Sequence, residues 1–113
     1  DTTGNYSHHQ LEGDGATPTS GGTANASYMA QPPIAASSSS ASIFGTAVID
    51  ILDYKDTNKY TTIRGLGGFD RNGGGYVSIR SGNWRNTEAV SSIKIYAIGN
   101  LEVNSTFALY GIR

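Results

Sequence analysis

Ala47-Val48-Ile49-Asp50-Ile51-Leu52, then the polar cluster Tyr54-Lys55-Asp56-Thr57-Asn58, then Tyr60-Thr61-Thr62-Ile63-Arg64-Gly65-Leu66 is the stretch that decides the fold. Ala47, Ile49 and Ile51 alternate with Val48, Asp50 and Leu52. Beyond the cluster, Thr61 and Ile63 oppose Tyr60, Thr62 and Arg64. A period of two between turn signals marks strands, because successive side chains leave a pleated backbone on opposite faces.

The same pattern continues toward the C-terminus. Gly67-Gly68-Phe69-Asp70-Arg71-Asn72-Gly73-Gly74-Gly75 is a connection that suits a glycine-tolerant hairpin. Tyr76 to Arg80 sets Val77 and Ile79 against Tyr76, Ser78 and Arg80. Ser92 to Ile98 sets Ile93, Ile95 and Ala97 on one face, and Phe107, Leu109 and Gly111 oppose Ala108, Tyr110 and Ile112. Five short strands, rich in β-branched residues and Tyr, with no sustained helical period, predict an all-β fold. Their spacing predicts an antiparallel β-sandwich or jelly roll over residues 43–113. Apolar residues on both sides of these strands predict a sheet covered on both faces, by its own chain or by a subunit interface.

Residues 1–42 read differently. Gly, Ser, Thr, Asn, Ala and Pro dominate there, Ser37 to Ser40 is a serine run, and Pro32-Pro33 favours an extended path. The expectation is an irregular, Gly/Ser/Ala-rich N-terminal arm that orders against a scaffold or a partner, or else the early part of the domain. The opening Asp1-Thr2-Thr3-Gly4-Asn5 reads as the inside of a loop, so a fragment of a longer chain is expected.

The chain has 113 residues, 8 Lys+Arg, 9 Asp+Glu, a formal net charge of −1 and no Cys. That size holds one domain. The lack of a basic block argues against sequence-independent nucleic-acid binding. No apolar run nears the ~20 residues of a membrane-spanning helix. Without Cys there are no disulfides, thiolate zinc sites or thiol catalysis.

The chemistry-bearing residues are sparse. His8-His9, near Glu12 and Asp14, point to opposite faces of an extended chain, so an exposed or interface strand is favoured over a metal site. Asp70-Arg71-Asn72-Gly73 lacks the further ligands of a calcium loop. The triple glycine lacks the Gly-Lys-Ser/Thr ending of a phosphate loop. No Gly-x-Ser-x-Gly is present, and Asp50, Asp53 and Asp70 would have to face one another across a groove for glycoside hydrolysis. No enzyme activity and no cofactor are expected. Asn25-Ala26-Ser27 and Asn104-Ser105-Thr106 match the glycosylation acceptor pattern, as a composition so rich in Asn, Ser and Thr makes common. The aromatic residues are the better candidates. Tyr54, Tyr60, Tyr76 and Trp84 could offer a sugar or a protein partner an apolar face with a polar edge, or could fill a core or subunit interface.

Gly82-Asn83-Trp84-Arg85-Asn86-Thr87-Glu88-Ala89-Val90-Ser91-Ser92-Ile93-Lys94-Ile95, followed by Asn104-Ser105-Thr106-Phe107-Ala108-Leu109-Tyr110-Gly111-Ile112, resembles the C-terminal β domain of tailed-bacteriophage virion proteins of fibre, spike and head-decoration type. Asp50-Ile51-Leu52-Asp53-Tyr54 with Lys59-Tyr60 resembles that family's central strand and turn. The likeness covers residues 45–113, and residues 1–42 only loosely. It implies a virion structural protein without catalytic residues, self-associating as a homotrimer, meeting other virion proteins and, in some members, a host-surface glycan. A carbohydrate-binding module and a fragment of a depolymerising enzyme are the competing expectations.

Overall fold

The computed structural model describes residues 1–36 and 38–112, so Ser37 of the serine run and the terminal Arg113 lie outside the described residues. The fold is all-β. Five strands run in the order β1 (Tyr6–Gly13), β2 (Pro18–Ala26), β3 (Thr46–Leu52), β4 (Thr61–Asp70) and β5 (Gly75–Trp84). They form one antiparallel sheet in the spatial order β2-β1-β5-β4-β3. Two units make it up: the β1–β2 hairpin and the β3–β4–β5 meander. Their strands meet at the central ladder of β1 with β5, which runs from Tyr6 opposite Trp84 to Gly13 opposite Val77.

Local chemistry explains the turns. Between β4 and β5, Asn72 (φ 56°) and Gly73 (φ 110°) occupy the left-handed region that a two-residue hairpin turn demands. The Arg71 amide donates to the Gly74 carbonyl at 2.7 Å, and the Asn72 amide donates to Asp70 Oδ1 at 2.6 Å. Between β1 and β2, Asp14 Oδ1 accepts from the amides of Ala16 and Thr17 at 2.9 and 2.7 Å. Those two amides hold the Asp14 carboxyl below its ordinary range, Thr17 contributing most. The β3–β4 connection is clamped by Lys59, whose ammonium pairs with Asp53 and lies 3.9 Å from Asp56.

Cross-strand register sorts the side chains onto two faces. The first carries Tyr6, His8, Gln10 and Glu12 beside Trp84, Gly82, Arg80 and Ser78, then Thr61, Ile63, Gly65 and Gly67, then Ile51, Ile49 and Ala47. The chain leaving β2 must reach β3 at the far edge, and it does so over this face. Met29 lies against Gly82, Gln31 and Pro32 against Gly65, and Ile34 against Gly45. This strap buries Pro32, while Thr61, Gly65, Gly67 and Ser78 are buried on the strand side. A Cβ on Gly65 would stand 2.6 Å from Gln31 Oε1 and 2.8 Å from Pro32 Cδ, so the strap sits where only glycine leaves room.

Three expectations change. Residues 1–42, expected as an irregular arm or as the early part of the domain, hold two regular strands, β1 and β2. β1 carries one aliphatic side chain, Leu11, among polar neighbours and β2 reads Pro-Thr-Ser-Gly-Gly-Thr-Ala-Asn-Ala, so neither shows the apolar alternation that identifies a strand, and each is defined by its pairing with a neighbour. Ser92–Ile98 and Phe107–Ile112, which do show that alternation, form no ladder. The sheet is also a single layer, covered by a strap on one face. Its Cα radius of gyration is 15.0 Å, against ~13 Å for a compact chain of this length.

Replacing Gly65 with Val should lift the strap and cost ~1–3 kcal/mol in urea unfolding, the usual penalty of overpacking. Ala at Gly13, where an added Cβ meets nothing within 4 Å, should shift stability by less than ~0.5 kcal/mol. Equal effects at the two positions would mean that the strap does not sit on Gly65.

Candidate functional site

Beneath the strap lies a polar layer. Glu12 and Arg80, on the two strands of the central ladder, form an ion pair at 2.6 Å with each side chain only 11% exposed. Arg80 Nε also donates to Ser78 Oγ at 3.2 Å. His8, two residues along β1 from Gln10, is buried, and its Nδ1 has no protein partner. Burial first, then the charge of Arg80 and of His9, holds the His8 imidazole below its ordinary pKa. Among the described residues, no three His, Cys, Asp or Glu side chains converge as a metal ion would require.

The acidic residues singled out by spacing serve local structure. Asp50 accepts from Arg64 Nη2 at 2.6 Å across the β3–β4 pair. Asp53 pairs with Lys59. Asp70 sits in the hairpin at the opposite end of β4. The acceptor Asn25 receives Arg85 Nη2 on its Oδ1 at 2.5 Å, whereas Asn104 is exposed.

The four aromatic candidates do not gather at one place. Trp84 ends β5 opposite Thr61, and its indole N–H donates to Asp1 Oδ2 at 2.7 Å. Tyr60 and Tyr54 flank the β3–β4 connection at that same end of the sheet, both half exposed, with the Lys55 ammonium 5.6 Å from the Tyr54 ring. Tyr76 starts β5 at the other end, where its ring meets Phe69 at 6.0 Å. Eight residues of strand separate Tyr76 from Trp84, roughly 27 Å at the usual rise. Tyr28 and Tyr96, which meet edge to face at 5.9 Å, join the Trp84 end. Tyr96 is also one of the two causes, after burial, that push the Tyr6 hydroxyl above its ordinary value.

The second face of the sheet is the larger feature, and strand-by-strand reading does not reveal it. Register places Leu11 opposite Ile79, Ile79 opposite Leu66 and Leu66 opposite Val48. This unbroken apolar row crosses four strands, with Val77 beside it on β5. These side chains are 47–67% exposed. Next to the row runs the pair Arg64–Asp50, and beyond that a shallow polar depression formed by Ser7, His9, Thr62, Ser81 and Asn83. Among the described residues, no large apolar side chain is fully buried anywhere in the chain. Covering an aliphatic side chain completely is worth ~1.5–3 kcal/mol over leaving it in water, so the row represents several kcal/mol not realised by the isolated chain. Large continuous apolar patches are uncommon on the surface of monomeric proteins. The signal in the sequence was the apolar residues on both faces of the predicted strands; the row itself emerges only from the register.

The chain matches no protein-family model, no curated protein and no solved structure.

Two electrostatic outcomes follow. Replacing Glu12 with Gln strands the Arg80 charge under the strap and should cost ~3 kcal/mol, against less than ~1 kcal/mol for Asp50→Asn at the exposed pair. The depressed His8 pKa makes stability full above the ordinary histidine value of 6.5. Below it the unfolded chain takes up the proton first, so stability falls until the pH passes the lowered folded value. Urea midpoints measured from about pH 8 down to about pH 5 should decline, and His8→Gln should flatten the decline. An unchanged slope in that variant would assign the effect to another group.

Proposed function

We propose that this chain is a non-enzymatic structural protein of a tailed-bacteriophage particle, an appendage, fibre or head-decoration component that works by packing against copies of itself and other virion proteins. The observation that carries this reading is the bare apolar row Leu11–Ile79–Leu66–Val48 on a chain whose described residues include no buried apolar core. A protein built to be assembled leaves such a surface open until its partners arrive. The resemblance of residues 45–113 to virion β domains points the same way. So do the absence of Cys and the low charge, which suit an unreactive particle component outside a cell.

A second reading, a module that binds a cell-surface glycan, is favoured by Tyr54 and Tyr60. Both are half exposed on a hairpin that the Lys59 ion pairs hold in place. The two readings meet if the assembled particle contacts its host through that end.

Native mass measured by light scattering after size exclusion should show a stable oligomer, a homotrimer by analogy with virion appendages. A folded monomer at all concentrations would overturn the assembly reading. In a glycan screen, saturable binding lost on Tyr60→Ala or Tyr54→Ala and kept on Tyr76→Ala would support the glycan module at the Trp84 end.

A further inference from the structure

Two features of the chain lack partners, and they match. One is the bare face with its apolar row. The other is the C-terminal segment beyond Tyr96, where Ile98, Val103, Leu109, Tyr110 and Ile112 are 81–99% exposed. Phe107, Leu109 and Gly111 share one side of an extended chain, and Ala108, Tyr110 and Ile112 share the other. A segment with this alternation behaves as a strand once a sheet or a second layer receives it, and two layers pack with ~10 Å between them. Resting on the assembly reading above, we infer that residues 98–112 of one copy lie across the row Leu11–Ile79–Leu66–Val48 of a second copy, completing a two-layer sandwich between chains.

The path of the chain sets the occupant as another copy. After β5 the backbone is tied to the strap side and to the Trp84 end. Arg85 holds the Gly4 carbonyl and Asn25, the Val90 amide donates to the Tyr54 carbonyl at 2.8 Å, and Tyr96 packs edge-on against Tyr28. Tyr28 immediately precedes the strap, which covers the face opposite the row. A chain's own tail therefore sets out from the wrong side of its sheet, whereas a neighbour's tail meets no such constraint. A net charge of −1 places no long-range repulsion between copies. Five strands spaced by ~4.8 Å and roughly 27 Å long present about 600 Å². Each tail-on-face contact covers about 600 Å² on either partner, roughly 1,200 Å² in all, the lower end of the range for a stable interface, and each copy makes two such contacts.

The chain contains no cysteine, so introduced thiols report without background. Val48→Cys on the row and Leu109→Cys in the tail are each made in the full chain, mixed in equal amounts, exchanged and mildly oxidised. The expected product is a disulfide-linked heterodimer in clear excess over either homodimer, and the double variant should give interchain multimers. A control pair, Leu109→Cys with Ala47→Cys on the strap-covered face, should crosslink at least tenfold less. An intrachain bond as the main product of the double variant would overturn the inference in favour of the chain's own tail. An oligomer by light scattering that yields no disulfide between positions 48 and 109 would overturn the inference and leave the assembly reading standing. A monomer by light scattering would overturn both. Leu66→Asp, at a side chain exposed in the free chain, should leave the far-ultraviolet β signal intact while lowering the native mass. An unchanged mass in that folded variant would also overturn the inference.

Discussion

The ladder between β1 and β5 is the constraint on which the rest of the molecule depends. Among the described residues it alone pairs the strands of the N-terminal hairpin with those of the meander that follows, and its partners lie about seventy residues apart in sequence. Closing so long a loop costs conformational entropy before any contact offsets it, so the two hairpins can form early while the seam waits. The interactions that cross the seam are concentrated accordingly. Glu12 with Arg80 lies toward its Gly13 end, Ser7 with Asn83 at 3.0 Å toward its Trp84 end, and Asp1 reaches Trp84 beyond it. Removing the seam would leave the β1–β2 hairpin, marginal by itself in water, apart from the three-stranded meander.

Once the seam is closed, the crossover from β2 to β3 has only one course, from one edge of the sheet to the other. It selects the face it covers, and the small residues of that face are the consequence. Gly82 and Gly65 face Met29, Gln31 and Pro32, and polar residues such as Ser78 and Thr61 fill the space beneath. Ile49, Ile51 and Ile63 share the covered face, and on the other the register aligns Leu11, Ile79, Leu66 and Val48 in one row. The strap thus accounts for the small and polar residues directly beneath it and leaves the row on the other face bare.

The central and second half of this architecture was legible in the sequence. β3, β4 and β5 announce themselves through the alternation at Ala47–Leu52, Thr61–Leu66 and Tyr76–Arg80, and the Asn72-Gly73 hairpin follows from its residues. β1 and β2 were hidden because their strand character comes from pairing, with His8, Gln10 and Glu12 giving no apolar face to detect. Conversely, Ser92–Ile98 and Phe107–Ile112 carry a clear strand pattern yet pair with neither open edge of the sheet, β2 or β3. Of the aromatic candidates, Tyr54, Tyr60 and Trp84 share one end while Tyr76 stands apart. That division depends on strand direction, which composition does not carry. The apolar row was visible only as apolar residues on both faces; its continuity needed the register of three strand pairs.

The bond between Trp84 and Asp1 has an optical consequence. The chain holds a single tryptophan, and its indole sits where the first residue, the last residue of β5 and the β3–β4 end of the sheet converge. Its emission therefore responds to the β4–β5 pairing, where Trp84 stands opposite Thr61, and again to the closure of the seam, where it stands opposite Tyr6 and holds Asp1. A refolding experiment followed by tryptophan fluorescence would register these two events at one residue, while far-ultraviolet dichroism on the same sample would follow the strands as a whole. The molecule carries its own two-channel clock, with no label to attach.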